Sequence, residues 1–125
     1  MKKRVLLVED DPGTIEVMCQ ELGFLGYEVV LARTGTEALE KAGTETPDII
    51  VMDIRLPRMD GFQAIEGIRS NSHTRSIPVL ASTAMAMPGD KEKCLAAGFT
   101  GYIAKPFTHK ELGFALKEML KNGPE

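Results

Sequence analysis

Acidic side chains follow two separate apolar runs of the sequence, and such carboxylates can bind a metal ion or act as nucleophiles. Asp53 follows the run 49–52, and the cluster Glu9–Asp11 follows the run 5–8. Two carboxylates about 4 Å apart repel by roughly 4 kcal/mol at an effective dielectric of about 20. Converging acids therefore need a cation or raised pKa values. We expect one site built from both segments.

The residue types at this predicted site indicate what it binds. Glu9, Asp10 and Asp53 are oxygen donors, and a site without sulfur ligands suits Mg²⁺ or Mn²⁺. Thr83 and Lys105 follow two further apolar runs. A hydroxyl and an ammonium at those positions could hold a phosphoryl oxygen, while one of the carboxylates acts as the nucleophile.

Short apolar runs alternate with longer segments of helical period, which predicts alternating strands and helices. The predicted strands are about 4–9, 28–32, 48–53, 77–82 and 100–104. The predicted helices are about 12–25, a short helix between Thr34 and Pro47, 61–70, 88–97, and a last helix that follows Thr108 and ends before Gly123. Each strand is thus followed by a helix.

Three of these helices have recognisable start signals. Thr34 with Glu37, and Thr108 with Glu111, have the spacing of a capping box. Asp11, directly before a proline, is better explained as the cap of the first helix than as a metal ligand.

Five strands alternating with five helices predict an α/β fold, because parallel neighbours need a crossover connection. We expect a doubly wound, five-stranded parallel sheet in the flavodoxin-like order 2-1-3-4-5, with helices on both faces. Ligands of such sheets bind at the carboxyl ends of the strands, at the point where the winding reverses. That point lies between strands one and three, which carry the two acidic segments.

Composition excludes several classes of protein. The 125 residues suit one domain, and 43% hydrophobic with 26% charged residues is an ordinary globular composition. A formal charge of -3 gives nucleic acid no binding surface, and no apolar stretch approaches the roughly 20 residues of a membrane span. We expect a single cytoplasmic domain over 1–125, without a separate output module.

Cys19 and Cys94 lie in helical patterns and are expected to be buried thiols.

The sequence resembles the receiver domain of bacterial two-component response regulators. The resemblance covers essentially the whole chain, in order and with the family's spacing. The segments that carry it are VLLVEDD (5–11), DIIVMD (48–53), LPRMDG (56–61), STA (82–84) and YIAKPF (102–107).

The resemblance implies a phosphorylation-activated signalling switch in a phosphorelay. Asp53 would accept a phosphoryl group from a histidine kinase or a histidine phosphotransfer protein. Mg²⁺ would be held by Asp10 directly, by Glu9 through water, by Asp53 and by the backbone carbonyl of Arg55. Glu9 replaces the family's more frequent Asp, which is a tolerated variant.

The same resemblance assigns roles to the last two strands. Thr83 and Lys105 would each contact a phosphoryl oxygen, and a cis peptide before Pro106 would aim Lys105 inward. Movement of Thr83 would let Tyr102 turn inward and change how the surface of helix four, strand five and helix five binds an unidentified downstream protein. Without the resemblance, Tyr102 is equally well explained as a half-buried core aromatic.

Two positions beside the site are expected to set the lifetime of the phosphorylated state. Arg55 and Met85 each lie two residues beyond a site residue and should flank the phosphoryl group where water attacks. We expect the pair to tune this self-catalysed loss of the phosphoryl group. Met85 and Met87 are alternatively explained as gap-filling core residues or as part of a partner-binding surface.

Other functions remain open at this point. A Mg²⁺-dependent phosphatase or phosphotransferase with an Asp nucleophile would need a second acid two residues after Asp53, where this chain has Arg55. A flavodoxin-like nucleotide or flavin binder would need a Gly-rich or hydroxyl-rich phosphate loop after strand one, where this chain has the acidic segment 9–11. The sequence leaves open whether the domain is a single-domain regulator or a receiver of a larger protein such as a hybrid kinase. It also does not identify the kinase, the output partner or the oligomeric state.

Overall fold

Five parallel strands form one sheet in the computed structural model, which describes residues 2–84 and 88–121. The strands are β1 (Arg4–Val8), β2 (Glu28–Ala32), β3 (Ile49–Asp53), β4 (Val79–Thr83) and β5 (Gly101–Ala104). Their order across the sheet is β2-β1-β3-β4-β5, so the predicted fold class and strand order are confirmed.

The register places the two acidic segments at the same edge of the sheet. β1 pairs with β3 so that Val8 lies opposite Met52, and the residue after each of these is acidic. β4 pairs with β3 on its other side, where Asp53 lies opposite Ser82. The winding reverses between β1 and β3, and the carboxyl ends of parallel strands meet there.

Five helices cover both faces of the sheet. They are α1 (Pro12–Phe24), α2 (Gly35–Thr44), α3 (Gly61–Ser70), α4 (Asp90–Ala97) and α5 (His109–Lys121). Buried residues of α2, α3 and α4 pack with Leu6 and Val8 on one face. Buried residues of α1 and α5 pack with Val5 and Leu7 on the other. The alternation along β1 follows from the two-residue period of a strand.

The predicted helix caps are present. The Asp11 side chain accepts a hydrogen bond from the Thr14 amide, and the Thr34 hydroxyl accepts one from the Glu37 amide. Thr108 and Glu111 form a reciprocal capping box that begins α5. Each bond satisfies a helix amide that has no partner within its own helix.

The predicted start of the fourth helix at Pro88 is wrong. Pro88 and Gly89 form a turn, and α4 begins at Asp90. Gly89 has φ 90°, in the left-handed region that a right-handed helix cannot contain. The first strand also ends one residue earlier than predicted, although the Glu9 amide still bonds to the Ala32 carbonyl. Predicted positions Met85 and Met87 lie outside the described residues.

The two cysteines are free thiols on opposite faces of the sheet. Cys94 is buried, as predicted, and Cys19 is partly buried. Burial raises the pKa of both thiols, so neither is a reactive thiolate. Among the residues that the structure describes, no helix has the length and apolarity needed to span a membrane.

Candidate functional site

Three carboxylates converge at the edge of the sheet where β1 and β3 end. One side-chain oxygen each from Glu9, Asp10 and Asp53 lies within 4.8 Å of the others. Glu9 is buried, Asp10 is exposed and Asp53 is 9% exposed. Adjacent parallel strands bring together here the two acidic segments that lie more than 40 positions apart in the sequence.

Glu9 is held in place by its backbone and by a lysine. Its amide donates to the Ala32 carbonyl, its Oε2 accepts from the Asp11 amide, and its Oε1 accepts from Lys105 Nζ at 2.9 Å. Burial, together with the negative charge of Asp53, raises the pKa of the Glu9 carboxyl, although the Lys105 hydrogen bond opposes this. A buried, partly compensated acid of this kind attracts a cation.

Lys105 supplies positive charge from the end of β5. Its Nζ lies 2.9 Å from Glu9 Oε1 and 3.4 Å from Asp53 Oδ2. Burial alone would lower the pKa of Lys105, but the hydrogen bond to Glu9 and the charge of Asp53 outweigh it, so the pKa is raised. The ammonium therefore stays charged at neutral pH.

The backbone around Lys105 fixes this position. The Lys105 amide donates to the Thr83 carbonyl at 2.8 Å. The Lys105–Pro106 peptide bond is cis, as the sequence predicted. The chain thus turns away after β5 while the lysine side chain reaches the two carboxylates.

Asp53 has defined contacts for both of its side-chain oxygens. Oδ1 accepts a hydrogen bond from the Arg55 amide at 3.0 Å, and Oδ2 faces Lys105. The carboxylate is thereby oriented by two donors and keeps a small exposed area. A reactant from solvent can reach it there.

The loop after Asp53, which carries Arg55, is held by contacts that the sequence did not reveal. The Gly61 amide donates to the Ile54 carbonyl. A Cβ on Gly61 would lie 2.7 Å from the Ile54 Cα, so only glycine fits this approach. Asp60 and Gln63 form a full capping box for α3. The D-x-x-Q spacing in the sequence is the signal that could have identified it.

The last two predicted residues are Thr83, at the end of β4, and Tyr102, within β5. Thr83 is fully buried and ends β4, one residue beyond the Asp53–Ser82 pair. Tyr102 is partly buried and packs against the core cluster shared with α3 and α4. Burial raises the pKa of its hydroxyl. Tyr102 thus lies on the sheet face that α4 covers.

The carboxylate cluster suits a hexacoordinate hard cation. Two oxygens on opposite sides of one Mg²⁺ are about 4.2 Å apart, and the three carboxylates already lie within 4.8 Å. The cluster contains only oxygen donors, and exposed Asp10 leaves one side open to water. These residues therefore fit Mg²⁺ or Mn²⁺.

The chain matches a known protein family and its members. The family model described as "Response regulator receiver domain" matches residues 5–117. The polar-differentiation response regulator DivK of Brucella ovis is 38% identical over 108 residues, covering 86% of this chain and 88% of that protein.

Solved structures agree with this match. The receiver domain of the sensor histidine kinase PA1611 from Pseudomonas aeruginosa, described with a magnesium ion coordinated in its active-site cleft, is 40% identical. It superimposes with a TM-score of 0.90 and covers 97% of this chain and 99% of that one. The chemotaxis response regulator CheY4 of Vibrio cholerae is 33% identical with a TM-score of 0.87, covering 94% and 98%.

These matches do not favour a small-molecule phosphatase or a nucleotide-binding protein. The family match spans most of the chain, and the relatives are covered nearly end to end. This chain belongs to the response regulator receiver domain family and is a receiver domain of two-component signalling.

Proposed function

We propose that Asp53 is the phosphoacceptor of this receiver domain. The observation that carries the proposal is the position of its carboxylate, which lies within 4.8 Å of carboxylate oxygens of Glu9 and Asp10 and 3.4 Å from Lys105 Nζ. In this arrangement the nearly buried Asp53 carboxylate is oriented by two donors. The neighbouring carboxylates can bind a metal ion, and Lys105 can neutralise negative charge. The donor is a phosphohistidine of a histidine kinase or of a histidine phosphotransfer protein.

The transfer step uses little covalent chemistry from the protein. One Asp53 carboxylate oxygen forms a bond to phosphorus as the phosphorus–nitrogen bond of the donor histidine breaks. The departing imidazole keeps the electron pair and takes up a proton. Lys105, already 3.4 Å from Asp53 Oδ2, neutralises charge on the incoming phosphoryl oxygens.

The acidic cluster holds the divalent ion that such a transfer needs. Asp10 and Asp53 would bind Mg²⁺, or Mn²⁺ in its place, directly, Glu9 would bind it through water, and the Arg55 carbonyl would add a further ligand. When bound, the ion offsets the negative charge that separates phosphoryl donor and carboxylate. The magnesium described in the cleft of the PA1611 receiver domain supports this assignment.

Thr83 and Tyr102 connect phosphorylation to the surface. Thr83, at the end of β4, would bond one phosphoryl oxygen, and Lys105 would pair with another. Movement of Thr83 toward the phosphoryl group would vacate space, and this space would let Tyr102 turn inward beneath α4. An unidentified downstream protein then binds one of the two states better, which is a population shift.

The domain also removes its own phosphoryl group by attack of water. Arg55, which is exposed in the loop after β3, and Met85 would set this rate. We further propose that residues 1–125 act as one domain in the cytoplasm. The free thiols of Cys19 and Cys94, on opposite faces of the sheet, suit that reducing compartment.

Phosphorylation by acetyl phosphate tests the assignment of Asp53. Incubation with acetyl phosphate and Mg²⁺ should add one phosphate to the wild-type mass and none to Asp53→Asn. Asp48→Asn, directly before β3, is a matched control and should be labelled like wild type. Equal labelling of Asp53→Asn and wild type would show that Asp53 is not the acceptor. So would unlabelled wild type under conditions in which a known receiver domain is labelled.

Thermal denaturation with and without Mg²⁺ tests the metal ligands separately. A ligand present at 100 times its dissociation constant stabilises the folded state by about 2.7 kcal/mol. This stabilisation should disappear in Asp10→Asn and remain in Asp11→Asn, because Asn caps α1 as well as Asp does. Equal Mg²⁺ stabilisation of both variants would remove Asp10 from the ligand set.

A further inference from the structure

Two phenylalanines on neighbouring helices are exposed on a face that the phosphorylation site does not use. Phe24, the last residue of α1, is 81% exposed, and Phe114 in α5 is 68% exposed. The buried face of α5 is formed instead by Leu112, Leu116 and Met119. Phe114 therefore contributes nothing to the core, and its ring lies in solvent.

A groove runs between these helices beside Phe114. Its volume is about 320 Å³. The residues that line it are Leu25, Tyr27, His109, Lys110, Gly113, Phe114 and Lys117. Phe24 borders the groove through its edge-to-face contact with the His109 ring, at 6.1 Å between ring centroids.

The floor of the groove is shaped by Gly113. A Cβ at this position would approach the Leu25 side chain to 3.2 Å, which is tighter than ordinary contact. Leu25 and Tyr27 are partly buried and present apolar surface at the base. The groove is thus an apolar depression with an aromatic wall.

The charge of the groove is positive. Lys110 and Lys117 line it together with His109, and none of its lining residues is acidic. Within residues 2–84 and 88–121, neither lysine lies within 4 Å of a carboxylate. Both ammonium groups are therefore available to an anionic partner.

One of these charges also lies where it does not help the fold. Lys110 is in the first turn of α5, and a positive charge at a helix N-terminus is unfavourable. The groove therefore combines exposed aromatic rings with two lysines that have no carboxylate partner among the described residues.

We propose that this groove binds an acidic amphipathic helix of a partner protein. An apolar side chain of that helix inserts between Phe114 and Leu25, and its carboxylates pair with Lys110 and Lys117. Helix-in-groove binding places anchors at i, i+3, i+4 and i+7 along one face. None of the residues that line the groove belongs to the Asp53 site.

A defined peptide tests this with the full, unphosphorylated chain. The probe is a fluorescent peptide of about 16 residues with Leu at the anchor positions and Glu on its other face. Fluorescence anisotropy should show saturable binding that weakens as salt is raised, because the ion pairs are screened. Amide resonances of 24–27 and 109–117 should shift.

Variants localise the binding. Phe114→Ser and the double charge reversal Lys110→Glu with Lys117→Glu should each weaken binding by about tenfold or more. Leu95→Ser and Lys91→Glu are matched controls on exposed positions of α4 and should bind like wild type. Urea denaturation establishes that each variant is folded, and Lys110→Glu should be at least as stable as wild type.

Three outcomes overturn the proposal. One is that the peptide does not bind, or binds all the variants equally. Another is that a scrambled peptide of the same composition, or one with Gln in place of Glu, binds as tightly. The third is that wild-type protein dimerises in sedimentation and Phe114→Ser abolishes the dimer, since the occupant is then a second copy of the chain.

Discussion

Lys105 and Glu9, which are 96 positions apart in the sequence, form a hydrogen-bonded ion pair of 2.9 Å at the carboxyl edge of the sheet. The Glu9 side chain is 4% exposed and the Lys105 side chain 22% exposed. The pair joins the end of β1 to the end of β5, the strand at one edge of the sheet, across the ends of β3 and β4. In this structure the lysine is the cation that compensates the acidic cluster.

Replacing Lys105 should therefore destabilise the metal-free protein. Lys105→Met removes the ammonium from the Glu9 and Asp53 carboxylates, which keep only backbone amide donors. A hydrogen bond to a charged group contributes about 1.5–3 kcal/mol. We expect the free energy of unfolding in urea, at pH 7 with chelator, to fall by about 2 kcal/mol. Lys110→Met, at an exposed position of α5, is the control and should change stability by less than about 0.5 kcal/mol. Equal effects of the two substitutions would show that the Lys105 ion pair does not stabilise the fold.

Glu9 should give the metal-free protein a specific pH dependence. Because burial raises the pKa of Glu9 above its ordinary value of 4.5, the folded chain keeps this proton at a pH where the unfolded chain has released it. The contribution of Glu9 to stability is thus fully present below pH 4.5 and is lost as the pH rises through its folded-state pKa.

The comparison of wild type with Glu9→Gln isolates this contribution. As the pH rises from 4 to 7.5 in chelator, the unfolding free energy of wild type should fall relative to that of Glu9→Gln. Glu40→Gln, at an exposed position of α2, should run parallel to wild type over the same range. If the unfolding free energy of Glu9→Gln ran parallel to that of wild type over this pH range, Glu9 would have the same pKa in the folded and the unfolded chain, and the prediction would be wrong.

The sequence predicted the sheet and the converging acids because both depend on local patterns. Apolar runs with intervening helical periods determine which segments are strands, and the strand order then brings the carboxyl ends of β1 and β3 together. The cis bond before Pro106 followed from the family resemblance. These features need no knowledge of individual side-chain contacts.

Other features depend on contacts that no local pattern contains. The sequence placed Lys105 at the site but could not show that, without a phosphoryl group, its ammonium lies on Glu9 rather than in solvent. The start of α4 was wrong because Pro88 suits a first turn, whereas the left-handed backbone of Gly89 is set by the fold. The sequence also did not predict that the Arg69 side chain bonds to the Gly98 and Ile77 carbonyls. An arginine in a helix is ordinarily expected to face solvent.

Ser82 has a hydroxyl whose removal should not cost stability. Ser82 is 2% exposed, and among the described residues its Oγ has no hydrogen-bond partner. An unsatisfied buried polar group costs about 1–3 kcal/mol relative to a satisfied one. Ser82→Ala should therefore leave the free energy of unfolding unchanged or raise it by up to about 1 kcal/mol.

Urea denaturation measures the effect, with Ser70→Ala as the comparison. The exposed Ser70 hydroxyl donates to the Glu66 carbonyl at 2.7 Å, but alanine has the higher helix propensity, so Ser70→Ala should change stability by less than about 0.5 kcal/mol. A loss of more than about 1 kcal/mol in Ser82→Ala would contradict the absence of a partner for its hydroxyl.

Arg69 ties α3 to the segments that precede β4 and β5. Its Nε donates to the Gly98 carbonyl at 2.9 Å, and its other nitrogens donate to the Arg75 and Ile77 carbonyls and to the Thr100 hydroxyl. The planar guanidinium has enough donors in fixed directions to reach all four acceptors. Its partial burial lowers the pKa of Arg69.

Removing the Arg69 guanidinium should loosen the end of α4. Arg69→Met leaves three carbonyls without their donor, and we expect the free energy of unfolding to fall by about 2–3 kcal/mol. Arg69→Lys should recover only part of this, because one ammonium cannot reach acceptors on both segments. Arg75→Met is the control, since only the backbone carbonyl of Arg75 takes part in the contact.

Hydrogen exchange distinguishes loss of these contacts from general destabilisation. The Phe99 and Thr100 amides bond to the Cys94 and Val79 carbonyls, and they should exchange faster in Arg69→Met than its global stability explains. The exchange rates of amides in the middle of β1, far from Arg69, should change only as much as the global unfolding free energy requires. Uniform acceleration at all of these amides would mean that Arg69 contributes to overall stability without holding the end of α4 in position.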